Sequence, residues 1–444
     1  MIDRRNLIAS AAAFGASAAM TGSSALARTA KPKPIDPKFP QGFLWGAATA
    51  AHQVEGNNIN ADLWPIENAP GTTFADRSGD AANSFELWRA DLDLVKGMGL
   101  NSYRFSLEWA RIEPDEGYFS NAMLDHYKAM IDGCRERGLN PVVTFNHFTT
   151  PRWFAAKGGW HHPDSPALFA RFCDRAARHL SQGMALATTL NEPNLVGVIG
   201  EILPPQLVAG DKATQETVAK QLGVPLYSPG VALYVKDPKT YRANMMEAHR
   251  LGVAAIKAMR SDLDVGVSLA IIDDQAAGKH SMRDAIRERY YGEWLRLAAH
   301  TCDFIGVQNY ERKVWNDKGA LPPPADAPRN AAGAEVWPGS LAGAVRYAWE
   351  ATKLPVYVTE HGVNTDDDAL RQWLIPAALT ELKRAMDEGV PVRGYFHWSL
   401  IDNFEWGFGY HHHFGLHSFD HETFKRTAKP SAAVLGMIAR ANSL

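Results

Sequence analysis

Two glutamates stand at the ends of strand-like runs. Val-Tyr-Val-Thr-Glu-His-Gly, residues 356–362, is a row of β-formers that closes on Glu360, and Thr-Thr-Leu-Asn-Glu-Pro-Asn, residues 188–194, closes on Glu192. A strand of such composition buries both faces and has little use for a carboxylate. Two carboxyl groups facing one another across a pocket suit glycoside chemistry: a protonated one assists the leaving oxygen, and an ionised one attacks the anomeric carbon. A covalent route needs them about 5–5.5 Å apart. Asn191-Glu192-Pro193 suits the acid, because the proline stops the strand and Asn191 can hydrogen-bond a sugar hydroxyl. Glu360 suits the nucleophile, provided a cation keeps it ionised. Arg104, inward-pointing by alternation in Ser102-Tyr-Arg-Phe-Ser106, is the candidate cation. Ionised Glu360 would raise the pKa of Glu192, since like charges in one site resist joint ionisation. Once a glycosyl-enzyme forms, that charge is gone and Glu192 can act as base toward water.

Eight β-rich runs can position these groups: 43–49, 102–109, 141–147, 184–191, 265–272, 304–310, 356–360 and 392–398. Periodic helical patterns lie between them, over 81–98, 122–137, 165–180, 241–259 and 370–388. Such alternation predicts an α/β fold with a parallel sheet buried on both faces. Eight units suggest closure into a single (β/α)8 barrel, because closure leaves no edge strand. Residues just past the C-terminal strand ends then share one mouth. They are Gln53 and Glu55, Glu108 and Trp109, His147, Asn191 and Glu192, Tyr310, Glu360, Trp398, and Glu405 with Trp406. The set contains no metal-type cluster and no glycine-rich phosphate cradle, so neither a metal nor a cofactor is expected. His411-His412-His413 reads as a polar rim, since three consecutive residues cannot all point at one ion. Glu55 and Glu108 read as local support. Two stretches, 201–237 and 313–338, are rich in proline, glycine and small residues and read as long irregular loops at the mouth.

The 444 residues are 46% hydrophobic and 21% charged, which is ordinary for a soluble globular chain. A formal charge of −3 argues against a broad nucleic-acid footprint. Thirteen tryptophans supply flat apolar surface for packing and for stacking on sugar rings. Residues 1–27 read as a cleaved twin-arginine signal peptide: Arg4-Arg5, a weakly apolar alanine-rich stretch, then Ala25-Leu26-Ala27 as cleavage site. The apolar stretch is too short to span a bilayer. Export to a bacterial periplasm or beyond is therefore expected, with residues 28–38 as a linker and 39–444 as the catalytic domain. Cys134, Cys173 and Cys302 are odd in number and far apart, and read as buried free thiols, although a single disulfide between two of them stays open.

Residues 39–435 resemble a family 1 glycoside hydrolase, the β-glucosidase family. The N-terminal signature is matched by Phe39-Pro-Gln-Gly-Phe-Leu-Trp-Gly-Ala-Ala-Thr-Ala-Ala-His-Gln-Val-Glu-Gly56, and the acid/base motif by Thr189-Leu-Asn-Glu-Pro193. Val358-Thr-Glu-His-Gly362 resembles the nucleophile motif, and Tyr395–Gly409 the C-terminal sugar-binding segment. The resemblance implies a (β/α)8 barrel and a retaining mechanism, with Glu192 as acid/base and Glu360 as nucleophile. It further implies that Tyr310 donates a hydrogen bond to Glu360, that Gln53, His147, Asn191, Glu405 and Trp406 bind the innermost sugar, and that Trp398 forms the platform beneath it.

The chain departs from the family pattern at His52, where Tyr or Phe is usual, at Phe148, where Trp is usual, and at His361, where Asn is usual. Phe148 keeps an apolar face in the substrate pocket but loses an indole N–H. Strand six reads Gly306-Val-Gln-Asn-Tyr310 in place of an Asn-Tyr-Tyr ending. Glu405 would repel a phosphate on the same ring, and phospho-β-glycosidases of the family lack the Glu-Trp pair, so a small neutral β-glucoside is the expected partner. The presence of Glu192, which thioglucosidases replace by glutamine, argues for O-glycosides. The expected activity is exo-acting hydrolysis. A transglycosylase using the same intermediate and a non-catalytic sugar-binding barrel are the rivals; the latter would normally have lost one glutamate.

Overall fold

The computed structural model describes residues 35–196, 199 and 203–444; the expected signal peptide, residues 1–27, and residues 28–34 of the expected linker lie outside them. Eight parallel strands close into one barrel in chain order, each paired with the next and the last with the first. They are β1 Leu44–Ala48, β2 Ser102–Ser106, β3 Asn140–Asn146, β4 Leu186–Asn191, β5 Val265–Ala270, β6 Phe304–Asn309, β7 Val356–His361 and β8 Val392–Trp398. Every run read as a strand is one. The five helical patterns are also helices, over Ser84–Gly97, Asn121–Glu136, Ser165–Leu180, Pro238–Met259 and Asp368–Asp387. Three of these starts carry side-chain caps: Ser120 accepts from the Met123 amide, Asp237 from the amides of Lys239 and Thr240, and Asp367 from the Ala369 amide.

The two layers of packing are distinct. Apolar side chains on the outer strand faces join the helices in one large core, whereas Val142, Leu186, Phe304, Phe396 and Trp398 form a separate cluster with Leu44 and Tyr357 against it. These residues come from strands around the whole ring, so they meet only inside it. They plug the barrel beneath Trp398. Arg104 is in register with Val142 and so also points inward, one level of the sheet among apolar neighbours. Gly362 follows β7 because a Cβ there would lie 2.1 Å from the Trp398 carbonyl oxygen. That close approach joins the strand-seven and strand-eight ends at the mouth.

One expected loop is not a loop. Within 201–237, Pro205–Leu222 is an 18-residue helix stopped by Gly223 in the left-handed conformation. Its sequence lacks a continuous apolar stripe, and only its Val218 and Ala219 join the small cluster with Leu63, Ile66, Ala155 and Tyr227. Periodicity could not reveal a helix held by so narrow a face. The second stretch is largely irregular, as expected, apart from Arg312–Trp315, which pairs in parallel with Asp273–Ala276 above the barrel. All three cysteines are free; Cys134 and Cys173 are buried and Cys302 half-buried.

Candidate active site

Glu360 leaves β7 into a dense set of donors. Its Oε1 accepts from Arg104 Nη1 at 2.6 Å and from Gln308 Nε2 at 2.9 Å, and its Oε2 accepts from the Tyr310 hydroxyl at 2.7 Å. Burial pushes this carboxyl above the usual carboxylate range, while Arg104 and Tyr310 pull it back. The inward cation and the tyrosine therefore stand where alternation and motif placed them. Gln308 was not singled out from the sequence, although it is the register partner of Glu360 across β6 and β7. The signal was available: a primary amide inside Phe304-Ile-Gly-Val-Gln-Asn309, a strand otherwise apolar up to that point. Arg104→Met is expected to leave burial of Glu360 uncompensated and raise its pKa. Because Glu360 must be ionised to act, the acidic limb of the kcat/KM profile should move to higher pH; an unmoved limb would dissociate Arg104 from the nucleophile.

Glu192 is built differently. It takes a left-handed conformation, φ 44° and ψ 43°, between the end of β4 and Pro193. Such a backbone is costly for a residue with a side chain and is held here by an amide bond to the Ser268 carbonyl at 2.8 Å. Among the described residues no protein donor reaches its carboxyl group. Burial raises its pKa well above the ordinary value, and Glu360 adds to the rise, with Arg104 opposing. One carboxyl thus holds a cation and two further donors, and its neighbour holds none.

The sugar end follows from the same arginine. Asn191 Oδ1 accepts from Arg104 Nη2 at 2.6 Å and from Gln308 Nε2 at 2.8 Å, which orients the amide so that its Nδ2 faces His147 Nε2 at 3.2 Å. His147 Nε2 is then the acceptor. Burial, reinforced by Arg104, holds this imidazole neutral, so its proton sits on Nδ1, a buried atom with no protein partner. Gln53 is set by the opposite logic. Its Nε2 donates to Asn403 Oδ1 and to the Phe404 carbonyl, leaving Oε1 without a partner. His147 and Gln53 accordingly offer one oriented donor and one oriented acceptor to hydroxyl groups. Asn191 stands one layer behind the wall, with its remaining amide proton as the group left for a ligand.

Rings enclose these atoms. His147 stacks against Trp398 at 5.6 Å and 16° and against Trp406 at 6.3 Å and 18°, while Phe148 meets Trp406 edge-on at 5.4 Å. Trp398 Nε1 donates to Glu405 Oε1 at 3.2 Å. Burial, with Glu360 adding to it, pushes Glu405 up to about 8. The bond from Trp398 opposes that rise. The lining of this cavity, among the described residues, carries no lysine or arginine.

The departures find their places. His52 lies flat on Trp406 at 6.0 Å and 7°, bonds Asn58 through Nδ1 at 3.0 Å, and lies 3.9 Å from Glu67. Burial works against its charge, but Glu67, Glu108 and Asp62 together outweigh burial and hold it above the usual range. His361 turns away from Glu360 and bonds the Tyr395 hydroxyl at 3.0 Å. Glu55 accepts from Arg111 and Tyr127, and Glu108 accepts from Ala110 and Thr149, so both support the local network. The three consecutive histidines diverge, His411 toward Asp76, His412 onto Phe408 and His413 to Asp366.

Gln53, His147, Phe148, Glu192, Tyr310, Glu360, Trp398, Glu405 and Trp406 line one cavity of about 210 Å³, and Arg104 and Asn191 orient that set from behind. Paired acids of unlike environment, at the C-terminal mouth of a (β/α)8 barrel and ringed by indoles, define a carbohydrate-cleaving enzyme, a glycoside hydrolase. The profile described as "Glycosyl hydrolase family 1" matches residues 35–296 and 296–444. A β-glucosidase of Agrobacterium sp. is 30% identical, over 90% of this chain and 95% of its own. Among solved structures, β-glycosidase BGL167 superposes with a TM-score of 0.85 at 42% identity, covering 92% of this chain and 98% of that one. The apo structure of β-glucosidase 1317 gives 0.86 at 38% identity, covering 90% and 98%. The chain belongs to glycosyl hydrolase family 1.

Proposed function

We propose that this glycosidase is a retaining, exo-acting β-glucosidase that removes the terminal non-reducing β-D-glucosyl residue from neutral β-glucosides. The observation that carries the roles is the asymmetry of the two acids: Glu360 is paired with Arg104 at 2.6 Å, and Glu192 has neither cation nor donor. Glu360 attacks C1 while Glu192 gives its proton to the glycosidic oxygen, and the aglycone leaves as an alcohol. Water then adds its oxygen to C1 and its proton to Glu192, freeing Glu360 as carboxylate. Tyr310 and Gln308 fix the attacking carboxylate throughout. The exo reading is supported by the plug beneath Trp398, which leaves room for a chain end entering from the mouth. The glucoside reading is supported by the names of the relatives.

Incubation with a 2-deoxy-2-fluoro-β-glucoside bearing a good leaving group tests both. Peptide mass spectrometry should find the fluoroglucosyl group on Glu360, and a label on any peptide lacking Glu360 would remove it as nucleophile. Export by the twin-arginine route belongs to the same proposal. Its support is the Arg4-Arg5 pattern with the alanine-rich stretch and the Ala25-Leu26-Ala27 site that follow it.

A further inference from the structure

Beyond the two acids the cavity changes character. Its outer wall is Leu195, Val196 and Ile199 after β4, Val231 and Ala232 from the segment before the helix Pro238–Met259, and Phe414 after β8. Phe414 meets the Tyr310 ring edge-on at 5.6 Å, extending the apolar surface from the nucleophile outward. The polar side chains that chain position would bring nearest are already engaged. Asn194 donates to the Ala270 carbonyl and accepts from the Ala270 amide, Thr149 donates to Glu108, and Thr150 donates to Asp62. The six outer-wall residues therefore offer aliphatic and aromatic surface, and none of their side chains carries a hydrogen-bond donor or acceptor.

The geometry points to an apolar aglycone: this site takes glucosides of alkyl or other hydrocarbon-rich alcohols in preference to a second sugar. The inference rests on the glycosidase reading above and narrows its substrate class. A glucose unit leaving through this wall would carry hydroxyls into surface that cannot satisfy them, and each one stranded costs roughly tenfold in binding. A hydrocarbon group meets the opposite balance. Each methylene that becomes fully buried against Leu195, Val231 or Phe414 gains about fourfold. Leaving-group chemistry works the other way, because a sugar hydroxyl is a better leaving group than an alkanol. A measured preference for alkyl glucosides would thus come from the wall and not from bond reactivity.

Binding of hydrolysis-resistant S-glucosides separates this from the catalytic reading. Titration calorimetry would compare methyl, butyl and octyl 1-thio-β-glucosides with methyl 4-thio-β-cellobioside. Kd is expected to tighten by at least about tenfold from methyl to butyl, with the thiocellobioside binding no better than the methyl compound. Val231→Asn should flatten the alkyl series. A flat series in the wild-type protein, or a thiocellobioside that binds more tightly than the butyl compound, overturns the inference. Turnover of 4-nitrophenyl β-glucoside by the same preparation reports on the glycosidase reading alone; a chain-length trend without turnover would count against that reading and not against the wall.

Discussion

Glu360→Ala is expected to abolish hydrolysis, lowering kcat/KM by roughly 10⁴–10⁶-fold on every β-glucoside. The loss is expected from chemistry and not from binding, because the proposed sugar-binding groups of Gln53, His147 and Glu405 remain. It should be accompanied by lower stability: Arg104 is fully buried, and removing its partner leaves a charge without compensation, at a cost of about 3–5 kcal/mol. Glu360→Gln separates the two effects. Its amide oxygen can still accept from Arg104 while its amide nitrogen donates to the Tyr310 hydroxyl oxygen, so this variant should fold near normally and remain inactive. Added azide offers a positive test in the alanine variant. The vacated space admits a small anion from the face that Glu360 occupied, so an activated β-glucoside should yield an α-glucosyl azide. Turnover within tenfold of wild type in either folded variant would sink the nucleophile assignment.

The barrel was legible because each of its strands is buried on both faces and so reads as a short run of β-formers between turn signals. Arg104 was legible for a related reason. In a strand with period two, a charged residue must face one side, and only the inside of the ring holds a carboxylate that needs it. Other parts depend on register or on sums over many groups. Gln308 meets Glu360 only through the pairing of β6 with β7, which a single strand does not encode. Val231 and Ala232 fall in 201–237, a stretch the sequence already placed at the mouth, but which of its residues face the cavity depends on the helix Pro205–Leu222, whose weak apolar stripe hid it. The raised pKa of Glu405 belongs to no residue alone: burial at the mouth sets it, and Glu360 and Asp402 add to it. The flat stack of His52 on Trp406 is likewise a contact between the first strand's end and the last loop, and the sequence shows only that a histidine stands where a larger aromatic ring is usual.

Glu192→Gln should divide substrates by their leaving groups. A general acid contributes about 10²–10⁴-fold where the departing oxygen needs a proton, so alkyl β-glucosides should lose activity by that order. A dinitrophenyl β-glucoside leaves without such help, and its kcat/KM should stay within about tenfold of wild type. The second half-reaction then becomes the slow one, since glutamine cannot take a proton from water, and a burst of phenolate ahead of steady state should appear. The pH dependence follows from the environments of the two acids. Glu192 must be protonated to act, and burial with the Glu360 charge raises its pKa, so wild-type activity on alkyl glucosides is lost as pH rises through that elevated value. Glu360 must be ionised, and its pKa also lies above the ordinary carboxylate range, so the acidic limb is lost as pH falls through it. Glutamine at position 192 removes the upper titration and leaves the lower one in place. A variant that lost both substrate classes equally, or kept the upper limb on the aryl substrate, would show that the proton donor is a different group.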